Sequence, residues 1–318
     1  MKTTKLTFLS SDQKTTIRAW LKEPNSVASG RLLPRAIIQI VHGEAEYSER
    51  YEEFTQYLVD RGFVVCGHDH IGHGLSVDDP EELGYIPGVE GAGILIEDTR
   101  HLQLLIQPRY LRSVPYVMFG HAMGSFIVRT FVCYYSDSVD AAVLTGTTQP
   151  YVFSLIPAIA TLNRIIKREG QQAVSELLYE SVGFGSYARR MKDRRTDFDW
   201  LCSDPEVVDA YIADPLCGFM LTNGAYLARI TLMRNALTEE THGNTPSRVR
   251  VLCLAGAKDP VSSDGKALAA MTKAYSKVHK VNLEAFVFPD MRHEVLHELD
   301  KKKVMAAIVD WMERRLGV

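Results

Sequence analysis

The 318-residue chain is short of cysteine, of long apolar runs and of surplus positive charge, and each shortage argues against a class of function. Its five cysteines, Cys66, Cys133, Cys202, Cys217 and Cys253, are odd in number and show no C-x-x-C spacing, which speaks against a disulfide framework. Cys66, Cys133 and Cys253 fall inside apolar runs and read as buried free thiols of a reducing compartment. No apolar run reaches the ~18 residues that a membrane span needs. The nearest candidate, Tyr151 to Ile166, is broken by Pro157, Asn163 and Arg164. A net charge of -3 lacks the basic footprint of a nucleic-acid binder, so no nucleic-acid partner is expected. The opening MKTTKLTFLSSDQ alternates like a strand and lacks the apolar core of a signal peptide, so a cytoplasmic protein is expected.

What is present is the composition of a soluble globular protein, 46% apolar and 24% charged, large enough to bury a core without staples. Lys5 to Leu9 and Ile17 to Leu21 read as a hairpin. Short β-rich runs then alternate with longer helical ones. Strands are expected at Ala36 to Val41, Phe63 to Cys66, Tyr116 to Phe119 and Ala141 to Leu144. Helices are expected at Tyr51 to Asp60, Gly93 to Ile106 and Met123 to Tyr135. From about Thr147 to Thr245 the pattern is helical throughout. The strand rhythm resumes at Val249 to Leu254 and Leu283 to Phe288, with helices at Asp264 to Ser276 and Glu294 to Arg315. This is an α/β fold: a mostly parallel central sheet flanked by helices, formed by residues 1–146 and 246–318. A helical cap, 147–245, is inserted after the sixth strand.

Chemistry-bearing residues follow the expected strands, where sites form in a parallel sheet. The stretch FGHAMGS, residues 119–125, has the small-x-x-x-small shape of a nucleophile elbow, but its central residue is Ala122. His42-Gly43-Glu44 follows the strand at Ala36 to Val41, where a main-chain N–H can face the elbow and, with that of Met123, make an oxyanion hole. Asp259 lies in LAGAKDP and His293 in FPDMRHE, each after a strand. The order of nucleophile position, acid and histidine suits a triad in which the histidine moves the proton and the acid orients the ring.

HGEAEYSERYEEF, GHDHIGHGLS, GHAMGS, AGAKDPV and RHEVLHE resemble the monoacylglycerol-lipase and lysophospholipase-like branch (serine aminopeptidase S33-type) of the α/β hydrolases, over about residues 36 to 299. The resemblance implies a triad at Ala122, Asp259 and His293, with oxyanion donors at Glu44 and Met123. It also implies an acyl ester as the small-molecule substrate, cleaved without cofactor or metal. Two positions depart from the family pattern: the serine is Ala122, and the histidine usual after the glutamate is Tyr47. The alanine is read as a serine-to-alanine change made to trap a ligand, ahead of a natural inactive descendant that binds an acyl ligand or a chance match. Losing the triad serine costs on the order of 10⁶ in kcat, and Ser125, expected inside the following helix, does not replace it.

Rival motifs carry plainer readings beside functional ones. HEVLH, residues 293–297, matches the H-E-x-x-H zinc pattern, which requires a helix through both histidines. HDHIGH, residues 68–73, is read as a tight turn fixed by Asp69 and His73, and SVGFGS as a bend in the cap. RRMKDRR, residues 189–195, is a solvated face or an attractor for anionic head groups. Tyr151 to Ile166 is a core-facing helix or, in a cap over a hydrolase site, a wall of an acyl tunnel or a contact with a lipid surface. Glu46, Arg50 and Tyr51 are an ordinary helix start or, by the resemblance, supports of the oxyanion turn.

Overall fold

In the computed structural model, which describes residues 1–278 and 282–318, a hairpin opens the chain. Strands β1 (Lys2–Leu9) and β2 (Thr16–Glu23) pair antiparallel, and the Asp12 carboxylate closes their turn by accepting the Lys14 and Thr15 N–H groups at 2.8 Å each. After α1 (Asn25–Ala28) come β3 (Ile37–Val41), α2 (Glu52–Val59), β4 (Val64–His68), α3 (Gly91–Ile106), β5 (Tyr116–His121), α4 (Met123–Tyr134) and β6 (Ala141–Thr145). Between β6 and the next strand run six helices: α5 (Ile156–Glu169), α6 (Glu176–Val182), α7 (Phe184–Ala188), α8 (Pro205–Ala213), α9 (Asn223–Ala236) and α10 (Glu239–Asn244). The chain ends with β7 (Arg250–Gly256), α11 (Lys266–Val278), β8 (Asn282–Phe288) and α12 (Lys301–Leu316).

The eight strands form one sheet in the order β1-β2-β4-β3-β5-β6-β7-β8, parallel from β4 to β8. Strand residues alternate between two cores, as the two-residue pleat repeat demands. Ile37, Met118, Leu144 and Cys253 face α3, α4 and α11, whereas Ile38, Phe119, Val143 and Leu252 face α2 and α12. From β3 the chain moves one way to β4 and, after α3, the other way to β5. The carboxyl ends of β3 and β5 therefore flank the point where the winding reverses, the place where parallel sheets open a crevice. Val41 pairs with Gly120 across these strands, so His42-Gly43 and His121-Ala122 leave the sheet side by side.

Two expectations need correction. The closing helix begins at Lys301, not Glu294, because residues 294–300 spend their polar groups on tertiary partners. Glu298, for example, accepts the Arg292 and Ser203 N–H groups at 2.7 and 3.0 Å. Cys133 is only half-buried on α4, while the other four cysteines are buried; all five are free thiols.

Candidate active site

The elbow is built by close packing of backbone. Ala122 sits between β5 and α4 with φ 45° and ψ -114°, a conformation that costs a non-glycine residue on the order of 1–3 kcal/mol. Two features hold it there. Its N–H donates to Thr145 O on β6 at 3.0 Å, and Gly124 lets α4 start directly against β3, where a Cβ would lie 2.1 Å from Val41 O. Ser125 turns inward and donates to Ala122 O at 2.6 Å, so its hydroxyl is tied into the helix.

The other elements converge on this point. Gly43 abuts the elbow so closely that a Cβ on it would be 3.2 Å from that of Ala122. The main-chain N–H groups of Glu44 and Met123 have no protein acceptor among the described residues. Asp259, fully buried after β7, accepts from the Val261 and Ser262 N–H groups and lies 3.0 Å from His293 Nδ1. That bond assigns the proton to Nδ1 and leaves Nε2 with a free lone pair. Burial pushes the His293 imidazole down, but the Asp259 carboxylate, helped by Glu294 and Glu46, outweighs it and holds the pKa above its ordinary value. The ring also lies against His121, centroids 4.7 Å apart, and Trp200, 5.1 Å apart.

Gly43, Glu44, Ala122, Met123 and His293 line one narrow cavity of about 40 Å³. Its remaining wall is largely apolar or aromatic and comes from α4 and the helical stretch, with Phe126, Phe184, Tyr187, Trp200 and Met233. An apolar wall around a few convergent polar groups suits a small organic ligand.

Beneath the turn, Glu46 Oε1 accepts the Gly43 N–H at 2.5 Å and the Tyr51 hydroxyl at 2.8 Å. Arg50 donates to Glu46 at 2.8 Å and makes a two-pronged contact with Glu294 at 2.7 and 2.9 Å. Burial would raise both carboxylates. It prevails at Glu46, whereas at Glu294 the Arg50 guanidinium prevails and holds the pKa well below the usual carboxylate range. Glu46, Arg50 and Tyr51 are thus buried supports of the turn and not a surface ion pair at a helix start.

The rival motifs resolve geometrically. Residues 293–297 are not helical, and His297 Nε2 bonds to Arg50 O at 3.1 Å, so the two histidines of HEVLH do not share a helical face. His297 is accordingly a partner of the Arg50 backbone and packs against the Tyr51 ring, centroids 5.6 Å apart. Asp69 fixes its turn as expected, accepting from Ser48 N, Ser48 Oγ and Leu75 N at 2.6–2.8 Å. The arginines of RRMKDRR pair individually: Arg189 with Glu180, Arg190 with Asp264, Arg194 with Asp197 and Arg195 with Asp209.

Sequence reasoning expected the helical stretch to help wall the site but missed the residues that do so, above all Trp200, Tyr211 and Arg229. Arg229 left one legible trace, a lone cation in the apolar run AYLARITLM of α9. Its guanidinium is buried and bonds to Glu44 at 2.8 Å.

Known proteins share this architecture. The chain is 27% identical over 284 residues to a monoacylglycerol lipase of Mycolicibacterium smegmatis, covering 89% of this chain and 90% of that protein. It is 24% identical to the monoglyceride lipase of Homo sapiens, covering 84% and 82%. The crystal structure of a thermostable carboxyl esterase from Bacillus coagulans in complex with glycerol superposes with a TM-score of 0.87 at 28% identity, covering 98% of each chain. The family model for serine aminopeptidase, S33, matches residues 33–300. With that match over most of its length and the sheet topology above, the chain belongs to the serine aminopeptidase S33 family of α/β hydrolases, in its monoacylglycerol-lipase-like branch.

Proposed function

We propose that this site is built to hydrolyse carboxylic esters through an acyl-enzyme, with serine at position 122, and that the chain carrying Ala122 binds the ester without cleaving it. The carrying observation is the buried His293–Asp259 bond beside a strained elbow and two unpaired main-chain N–H groups in one cavity. With serine present, its Oγ attacks the ester carbonyl while His293 Nε2 takes the proton and passes it to the leaving alcohol. A water then attacks the acyl-enzyme by the same base and releases the acid. Asp259 holds the ring, and the Glu44 and Met123 N–H groups stabilise the oxyanion. No step draws on a cofactor or metal.

Monoacylglycerol-type acyl esters are the substrates that the relatives' names support, and the apolar wall suits lysophospholipid-type acyl esters as well. Residues 147–245 act as the cap that bounds the acyl site. The exposed Tyr151, Phe153 and Ile156 at its edge suit transient contact with a lipid surface. Among the described residues no helix is long and apolar enough to cross a membrane.

A second reading, a non-catalytic protein holding an acyl ligand, is favoured by Ala122 itself. Restoring serine (Ala122→Ser) and assaying p-nitrophenyl esters of graded chain length separates the two. The ester-hydrolase reading expects a rise in kcat on the order of 10⁶ over the Ala122 chain. No turnover at any chain length, with ester still bound, favours the binding protein.

A further inference from the structure

The turn that carries the Glu44 amide is gripped from two sides. Glu46, Arg50 and Tyr51 hold it from the core. From the helical stretch between β6 and β7 come four more contacts. Arg229 of α9 donates to the Glu44 carboxylate at 2.8 Å, while its other terminal nitrogen bonds to Val182 O at the end of α6. The Tyr211 hydroxyl of α8 donates to Ala45 O at 2.8 Å, and the Gly218 N–H reaches the same oxygen at 3.0 Å. The Tyr47 hydroxyl donates to Asp214 at 2.9 Å, giving a structural use to the residue that replaces the family's histidine. Ala45 itself has φ 52°, a strained value that persists only where the surroundings over-determine it. The side chains of Glu44 and Arg229 are only 8% and 6% exposed, so neither charge has water to fall back on.

We propose that Arg229 and Tyr211 are positioning residues that keep the Glu44 amide aimed at the oxyanion only while the helical stretch is seated on the sheet. The proposal rests on the ester-hydrolase reading above. An oxyanion donor contributes only when it is pre-aimed. Lifting the stretch strands the buried Glu44 carboxylate and frees the Ala45 carbonyl, so the turn relaxes toward water. Ligand entry then loosens the oxyanion donor, and closure over the ligand restores it. The helical stretch thus completes the catalytic machinery as well as walling the cavity.

The test uses Arg229→Met, Arg229→Lys and Tyr211→Phe. In the serine-restored protein, Arg229→Met and Tyr211→Phe lower kcat by about 10- to 100-fold with KM within roughly threefold, somewhat less than the loss of an oxyanion donor itself, and Arg229→Lys recovers part of it. Tyr211→Phe keeps the ring that lies against Arg50, so it carries the test if Arg229→Met does not fold. A rise in KM alone would make Arg229 a substrate contact and overturn the proposal. A second readout needs no catalysis. By hydrogen exchange on the Ala122 chain, the amides of residues 43–47 exchange about tenfold faster in Arg229→Met, while those of β3 and β5 do not change. Unchanged exchange at 43–47 overturns the proposal. Faster exchange in a chain whose serine form cleaves no ester would leave the tie standing and remove the ester reading instead.

Discussion

At the scale of single residues, the site separates geometry from reactivity. Ala122 retains the strained backbone of an elbow without an atom that can attack, while His293, the proposed base, keeps its buried bond to Asp259. The direction of the His293 shift gives a signed prediction. The ring must be neutral to accept a proton, and its carboxylate neighbours keep it protonated to a higher pH than an ordinary histidine, whose pKa is about 6.5. In the serine-restored protein, kcat/KM therefore rises with pH through a pKa above that value. A pH–rate profile already flat above about pH 6 would contradict the assignment of His293 as the base. The reach of the sequence is also clearest here. Ala122, Asp259 and His293 could be named because each follows a strand at the sheet's carboxyl edge. Arg229, Tyr211 and Trp200 could not, because their place over the site depends on how α8, α9 and the loop before α8 pack, and no local pattern encodes that.

At the scale of elements, the junctions β3–turn and β4–turn share a buried group of four imidazoles, His42, His68, His70 and His73. His42 and His70 stack with centroids 4.0 Å apart, and His68 and His70 lie at 4.9 Å. His42 Nε2 accepts the His70 N–H at 3.0 Å, and its Nδ1–H donates to Gly43 O at 2.9 Å, so the turn proposed to carry the oxyanion donor is braced by a neutral His42. Burial holds all four pKa values down, His68 to about 3 and His73 to about 4. The unfolded chain titrates near 6.5, so below that pH it binds protons that the folded chain refuses. This part of the stability is complete above about pH 6.5 and is lost progressively as pH falls toward 4. His68 has neither ring nitrogen hydrogen-bonded, which makes it the informative variant. His68→Leu is expected to flatten the fall in Tm between pH 6.5 and 4.5 without lowering Tm at pH 7.5. An unchanged acid slope would show that these imidazoles do not govern it. HDHIGH reads from sequence as a turn, and Asp69 behaves so. The clustering with His42 is hidden there because that residue arrives from a different strand.

At the scale of the whole molecule, the strand rhythm is sufficient for the fold. Short apolar runs that alternate with helices read as parallel strands between helical layers, and the break in rhythm after β6 marks where the helical stretch begins. The start of α12 departs from its expected place because His293 to Leu299 has apolar spacing compatible with a helix, while buried ion pairs and hydrogen bonds, invisible in one dimension, decide its course. What the complete fold adds is convergence: residues separated by well over a hundred positions share one cavity at the point where the sheet's winding reverses. The most direct test is labelling with a fluorophosphonate, which reacts covalently only with an activated serine. Mass spectrometry of the Ala122→Ser protein is expected to show one adduct per chain, at residue 122. The adduct should be lost in the further variant His293→Ala and absent from the Ala122 chain. No adduct at position 122 in the folded Ala122→Ser protein, or equal labelling without His293, would contradict the account.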